Sequence, residues 1–272
     1  MDEIKNKVLV DEVDHAIIWK KQVASSLYNY IYELDPNLWK EIEVEAKLGK
    51  VLFQGKCEEK YSKVLNPFVI SGKFRNCKDN FITFDPCLSK ENFFILFEKI
   101  SKEFENKTNK ITGPIKSCDY DGNGFRKSII NNNVVEVLKK MNKHNYDIRN
   151  DGNDIRVSIS REKRFNNDKE IKLSGFMREK HRISFYYDNF VIDFTIVNSY
   201  INKVLKSTKF EVELEFYKIR ENALNYKGNF KEFEKVIFEF CYKIENYYSI
   251  LKENRIENEE IINLLKKFNF EI

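Results

Sequence analysis

The chain has 272 residues, 42% hydrophobic and 33% charged, the balance of a globular protein with room for one large domain or two small ones. Its 47 Lys and Arg against 43 Asp and Glu leave a formal charge of +4, too weak to imply nucleic acid by itself. Three histidines and five scattered cysteines, none in a CxxC pair, argue against a His/Cys zinc centre or a disulfide framework; a reducing compartment and oxygen-donor metal chemistry are expected.

Apolar residues at helical spacing (Ile17, Ile18, Val23, Leu27, Ile31) predict a helix over 13–34. Asp35-Pro36 ends it, because the residue before a proline avoids the α region. Trp39 to Phe53 alternates and predicts a strand; Phe81 to Leu88 predicts a second, shorter one. Lys90 to Asn106 predicts an amphipathic helix with Phe93, Phe94, Phe97, Ile100 and Phe104 on one side. From about Gly113 to Tyr217 the pattern is one of consecutive strands: Gly124–Ile130, Val134–Met141, Tyr146–Ile148, Asp154–Arg161, Met177–Tyr186, Phe190–Val197 and Phe210–Tyr217. Turn signals separate them at Asn131-Asn132-Asn133, Asp151-Gly152-Asn153, Asn166-Asn167-Asp168 and Asp188-Asn189. Helical patterns return over Phe230–Leu251 and Glu257–Phe268. The expected organisation is one α+β domain over 1–272: a helical segment over 1–36, an antiparallel sheet or barrel over 37–217 with an inserted helix near 90–106, and helices over 218–272. No apolar run approaches the ~20 residues of a membrane span, so no membrane partner is expected. The mixed, acidic start from Met1 to Val13 does not read as a signal peptide.

Two strands carry the chemistry. Because successive strand residues point to opposite faces, Glu41, Glu43, Glu45 and Lys47 share one face, and Ile42, Val44, Ala46 and Leu48 the other. Glu211, Glu213 and Glu215 likewise alternate with Val212, Leu214 and Phe216. Carboxylates two residues apart on such a face are roughly 7 Å apart and repel by about 2.4 kcal/mol at an effective dielectric of ~20. In water that is harmless, and an alternating Glu/aliphatic strand is ordinarily the wet face of a sheet. Inside a cavity it demands a cation, for which hard Mg²⁺ or Mn²⁺ suits carboxylate oxygen.

The strands between them are basic on one face. Arg156, Ser158, Ser160 and Glu162 fall together, as do Lys180, Arg182 and Ser184; Arg126 and the Lys139-Lys140 pair add positive charge, and Asp193 and Thr195 make another polar face. If these strands close, either the apolar faces or the charged faces point inward. The Phe-rich helices favour charged faces inward, since those helices need an apolar surface to cover. A lumen with carboxylates on one wall and cations on another suits a metal-bound polyphosphate.

Glu43-Val-Glu45-Ala-Lys47 resembles the ExExK signature of the triphosphate tunnel metalloenzymes. Ile42–Leu52 and Glu211–Phe216 resemble the fungal and protozoal RNA triphosphatases, the β subunit of the mRNA capping enzyme. Lys180–Val197 resembles that family's KxRxSY…RIDxTxV block, with Phe185 where the pattern has Tyr and Val191 where it has Arg. The resemblance runs from about Glu41 to Phe216. It implies a closed antiparallel eight-stranded β tunnel with a hydrophilic interior, flanked by N- and C-terminal helices. It implies Mg²⁺ or Mn²⁺ on Glu43, Glu45 and Glu215, with Lys47, Glu211 and Glu213 supporting the site. Arg126, Lys140, Arg156, Lys180 and Arg182 match phosphate-side basic positions, Glu162 a position that orients the attacking water, and Asp193 and Thr195 a buttressing strand. Val191 removes one cation, which Lys172 or Arg178 could replace.

The implied activity is hydrolysis of the γ-phosphate of nascent triphosphate-ended mRNA to a 5′-diphosphate end, the first step of cap formation. Implied with it are a nuclear location, the capping guanylyltransferase and RNA polymerase II as partners, and a homodimer. No counterpart of the short Trp-containing peptide that binds the guanylyltransferase is found, since Trp19 and Trp39 stand in other contexts. The alternatives are a tunnel enzyme acting on tripolyphosphate, thiamine triphosphate or a free nucleotide, a silent polyphosphate- or RNA-end-binding module, and a plain structural domain.

Overall fold

The structure, a computed structural model, describes residues 2–53, 68–71, 82–105, 110–122, 124–149, 152–166, 175–253, 263 and 266. Helix α1 (Asp2–Glu33) leads into a short 3₁₀ turn, Pro36–Glu41. Then come strands β1 (Ile42–Phe53), β2 (Phe68–Ser71), β3 (Ile82–Asp85) and β4 (Cys87–Leu88), and helix α2 (Lys90–Glu105). Seven strands follow: β5 (Ile111–Gly122), β6 (Phe125–Ile130), β7 (Asn133–Arg149), β8 (Asp154–Phe165), β9 (Phe176–Tyr186), β10 (Val191–Ile201) and β11 (Val204–Glu215). Helices α3 (Ile219–Asn225) and α4 (Phe230–Glu253) complete the set. The predicted helix at Glu257–Phe268 lies outside the described residues.

Eight strands close a ring in the order β1-β8-β7-β6-β5-β9-β10-β11, all pairs antiparallel. The seam is β1 on β11, with Glu45 opposite Glu215, Ala46 opposite Leu214 and Lys47 opposite Glu213. Closure leaves no free edges along the ring. β3, β4 and β2 attach outside it, to β1, β11 and β7.

The core lies between the barrel and its helices. Val44, Ala46 and Leu48 of β1, and Val212 and Leu214 of β11, have no exposed surface, although they point away from the lumen. α2 sets Phe97 against Phe185 and Phe194 at ring separations of 5.7 and 5.1 Å. α4 sets Phe240 against Phe190 and Phe216. α1 adds Trp19, Val23, Leu27 and Ile31 to the same cluster. Each buried phenylalanine ring contributes about 2 kcal/mol of burial. The apolar faces are therefore spent outside, and the charged faces turn inward, as the Phe-rich helices suggested.

Four differences from the sequence expectation have local causes. The strand expected from Trp39 begins at Ile42. The side chain of Asp35 accepts from the Asn37 amide at 2.8 Å, Pro36 starts the 3₁₀ turn, and the Trp39 indole donates to the Ile31 carbonyl, so capping overrides alternation there. The strand expected over Phe81 to Leu88 is two strands parted by Pro86. The two expected strands over 134–148 are one strand with a bulge between Met141 and His144. β5 has no counterpart among the expected strands, because Gly113-Pro114 and its Ser and Asp residues read as loop; the strand accommodates Gly113-Pro114 at a register shift between Thr112 and Ile115. Among the described residues no helix is long and apolar enough to cross a membrane.

Candidate active site

The barrel encloses a cavity of about 340 Å³. One wall is the β1–β11 seam. Glu43, Glu45 and Lys47 face it from β1, and Glu211, Glu213 and Glu215 from β11. The Lys47 ammonium lies 2.6 Å from Glu213 Oε1 and 3.3 Å from Glu45 Oε2. Burial opposes its charge, but Glu213 and Glu45 outweigh burial and drive its pKa upward. Glu213 is also buried; Lys47, Arg182 and Lys180 nonetheless hold it well below the usual carboxylate range. This glutamate is therefore a fixed anion that ties one wall to the other.

The cations stand on the strands beyond the seam. Arg178, Lys180 and Arg182 project from β9, Arg126 from β6 and Lys140 from β7. Arg182 is held from three sides: Nε donates to Thr195 Oγ1 at 3.0 Å, Nη1 to Asp193 Oδ2 at 2.7 Å, and Nη2 to Glu213 Oε2 at 3.4 Å. A guanidinium fixed in this way presents its charge at a set place. Lys180 pairs with Asp119 at 2.6 Å, and Ser128 Oγ donates to the other Asp119 oxygen at 2.7 Å. Burial and the neighbouring Arg182, Arg126 and Arg178 still pull the Lys180 pKa down, against the raising effect of Asp119.

Lys140 joins the walls. Its ammonium pairs with Glu43, lies 3.1 Å from Glu45 Oε1, and is 3.9 Å from Glu162 Oε1. The register opposite Glu162 turns Lys140 inward, while Lys139 sits outside, 5.4 Å from the Phe125 ring. Glu162 also pairs with Arg126 at 3.4 Å. It is not among the side chains lining the cavity and reaches it through Arg126 and Lys140.

Two predicted residues stand elsewhere. Glu41 belongs to the 3₁₀ turn, not to the glutamate face, and accepts from Arg161 Nη2 at 2.6 Å. Arg156 does not line the cavity: Nε and Nη2 bind the two Asp147 oxygens at 2.6 and 2.9 Å, and its guanidinium lies 4.6 Å from the Phe84 ring. Asp119 of β5 is a site residue without a counterpart among the expected ones, and the Asp119-Tyr-Asp121 alternation is the signal that marks it. Of the two cations weighed against Val191, Arg178 lines the cavity and pairs with Asp121 at 3.6 Å, and Lys172 lies outside the described residues.

The seam glutamates fit a hard divalent cation by their chemistry. Burial, then Asp193, Glu43 and Glu213, push the Glu215 carboxyl up to about 8. Its neighbour across β10 is Val191, which brings no charge. Burial and Glu45 raise Glu43 despite Lys140. The seam thus holds more negative charge than its cations balance. As the side chains stand, no three acidic groups among the described residues gather at one point, and Lys140 is the cation between Glu43 and Glu45.

A family model described as mRNA capping enzyme, beta chain, matches residues 18–254. The chain belongs to this family. Its activity is that of an mRNA 5′-triphosphatase, a hydrolase of cap formation. The structure is similar to that of the Schizosaccharomyces pombe Pct1 RNA triphosphatase, with a TM-score of 0.64 and 21% identity over 84% of this chain and 91% of that one. It is equally similar to Pct1 in complex with the Spt5 CTD, with a TM-score of 0.66, 22% identity and the same coverage. These likenesses bear on the fold, which is the tunnel expected from the resemblance. No curated protein matches the sequence.

Proposed function

We propose that this triphosphatase works by a one-step in-line attack of water on the γ-phosphorus, inside the barrel, between the carboxylate seam and the cationic wall. The observation that carries this is that Glu43, Glu45 and Glu215 share the β1–β11 seam of one cavity that Lys180 and Arg182 also line. Seven carboxyl groups and six cations line the cavity among the described residues, so its side chains offer no surplus positive charge to a triphosphate end.

Glu43, Glu45 and Glu215 would hold Mg²⁺ or Mn²⁺. The bound ion would supply charge neutralisation at the phosphoryl oxygens. Lys140 would exchange its carboxylate partners for a phosphate oxygen. Arg126, Lys180 and Arg182 stabilise the charge that builds on the equatorial oxygens, and Glu213, Asp193 and Thr195 keep Arg182 aimed. Glu162 stands behind Arg126 and Lys140, holding both through Oε1, and its role in orienting the attacking water would be exerted from the margin of the cavity. The new P–O bond forms as the bond to the β–γ bridging oxygen breaks, giving 5′-diphosphate RNA and phosphate.

The test is phosphate release from γ-labelled triphosphate RNA with and without divalent metal. Glu45→Ala should abolish turnover in a soluble, folded protein; retained turnover would remove the seam from the mechanism. A nuclear location and the guanylyltransferase as a partner belong to the same proposal. The Pct1 complex with the Spt5 CTD supports a polymerase-associated docking segment for this chain too. A homodimer is the expected assembly; fractionation, pull-down and sedimentation test these in turn.

A further inference from the structure

Three aliphatic side chains stand out in the cavity. Apart from Pro86, every other described lining residue is charged or carries a hydroxyl, yet Ile115, Ile130 and Val135 line it as well. They come from three consecutive strands of the ring, β5, β6 and β7. Ile115 and Val135 are 41% and 48% exposed. Their places differ in origin. Val135 is the extra residue of a bulge, since Ser128 pairs with Glu136 and Ile129 with Val134. Ile115 follows the register shift of β5 and lies directly opposite Arg182. Ile130 closes its strand at the Asn131-Asn132 turn, where both asparagines have positive φ.

Polyphosphate gains nothing from aliphatic surface, and water-exposed aliphatic groups in a charged cavity stabilise neither the fold nor a metal. What they match is the remainder of the substrate. A triphosphate end carries a ribose and a base immediately behind its phosphates, with apolar faces that stack or pack without hydrogen bonds. Resting on the reading above, we propose that Ile115, Ile130 and Val135 form the subsite for the first nucleoside of the RNA. They pack against its base and sugar while the triphosphate reaches Arg182 and Lys180. The contact reads no base identity, because none of the three side chains carries a donor or acceptor. It separates nucleotide-bearing substrates from inorganic polyphosphate.

The experiment compares the full chain with its Ile115→Ser/Val135→Ser double variant. Each is assayed on triphosphate-ended RNA and on inorganic tripolyphosphate, the latter as substrate or as competitor. For RNA, KM rises on the order of tenfold, the change set by roughly 50 Å² of lost apolar contact. The tripolyphosphate constants stay within about twofold by the same accounting. A separate Val135→Phe variant, which enlarges the apolar contact, lowers KM for RNA and leaves tripolyphosphate unchanged. Equal effects on both substrates, or no effect on RNA in either variant, overturn the subsite. If the wild-type chain itself releases no phosphate from RNA, the enzymatic reading fails first, which is a distinct result. If the double variant does not fold, the Val135→Phe comparison decides alone.

Discussion

Glu215→Gln should make the metal-free protein more stable while ending its activity. The carboxyl has an ordinary value of 4.5 and is pushed up to about 8 in the fold, by burial first and then by Asp193, Glu43 and Glu213. A group whose folded pKa is raised contributes stability that is fully present below its unfolded value. That contribution is lost as pH climbs from about 4.5 through 8. At about 1.4 kcal/mol for each tenfold step, holding Glu215 ionised above pH 8 costs on the order of 5 kcal/mol. The open cavity screens part of this, so about 2–5 kcal/mol is expected. Glutamine keeps the shape and removes the charge. The assay is thermal unfolding in chelator from pH 5 to pH 9. Wild type should lose melting temperature steadily across that range, and the variant should not. The two curves should separate by roughly 10 °C at the alkaline end and meet at the acid end. Added Mg²⁺ should raise the wild-type curve at pH 8 and leave the variant nearly unmoved. A Glu215→Gln protein that melts at or below wild type at pH 8.5 in chelator would refute the picture of an uncompensated seam.

Arg182→Lys keeps the charge but loses the three-sided hold of Thr195, Asp193 and Glu213; kcat should fall on the order of a hundredfold with KM little changed, read by phosphate release. Asp119→Asn removes the counter-charge of Lys180, whose pKa burial already lowers. Lys180 then loses its proton at lower pH, so the alkaline limb of the kcat/KM profile should move toward neutrality, with activity recovered on acidification. Asp147→Ala should strand the buried Arg156 charge and cost about 3–5 kcal/mol, seen as a lower melting temperature. At 25 °C the folded fraction should retain kcat within about threefold, because Arg156 does not reach the cavity.

Much of the site was legible because alternation is local. Any strand written Glu-x-Glu-x-Glu has its carboxylates on one face, and the Phe-rich helix over 90–105 showed that the apolar faces were needed elsewhere. The legible part stopped where backbone pairing takes over. Nothing in the Lys139-Lys140 pair tells which lysine turns inward; the register opposite Glu162 does. Arg156 has the same alternation signature as Arg182, yet one is clasped by Asp147 under Phe84 and the other faces the lumen. Asp119 was hidden in a segment whose Gly113-Pro114 reads as a break.

The sequence by itself determined which side chains share a face, that two acidic faces and several basic ones exist, and that hard-cation chemistry suits them. Only the tertiary structure decided which faces meet. Glu45 and Glu215 are 170 positions apart and become neighbours solely because β1 closes on β11, and Arg182 meets Glu213 only across the intervening β10. Periodicity follows from the geometry of each strand, whereas convergence follows from the pairing order of eight strands and the helices that cover them.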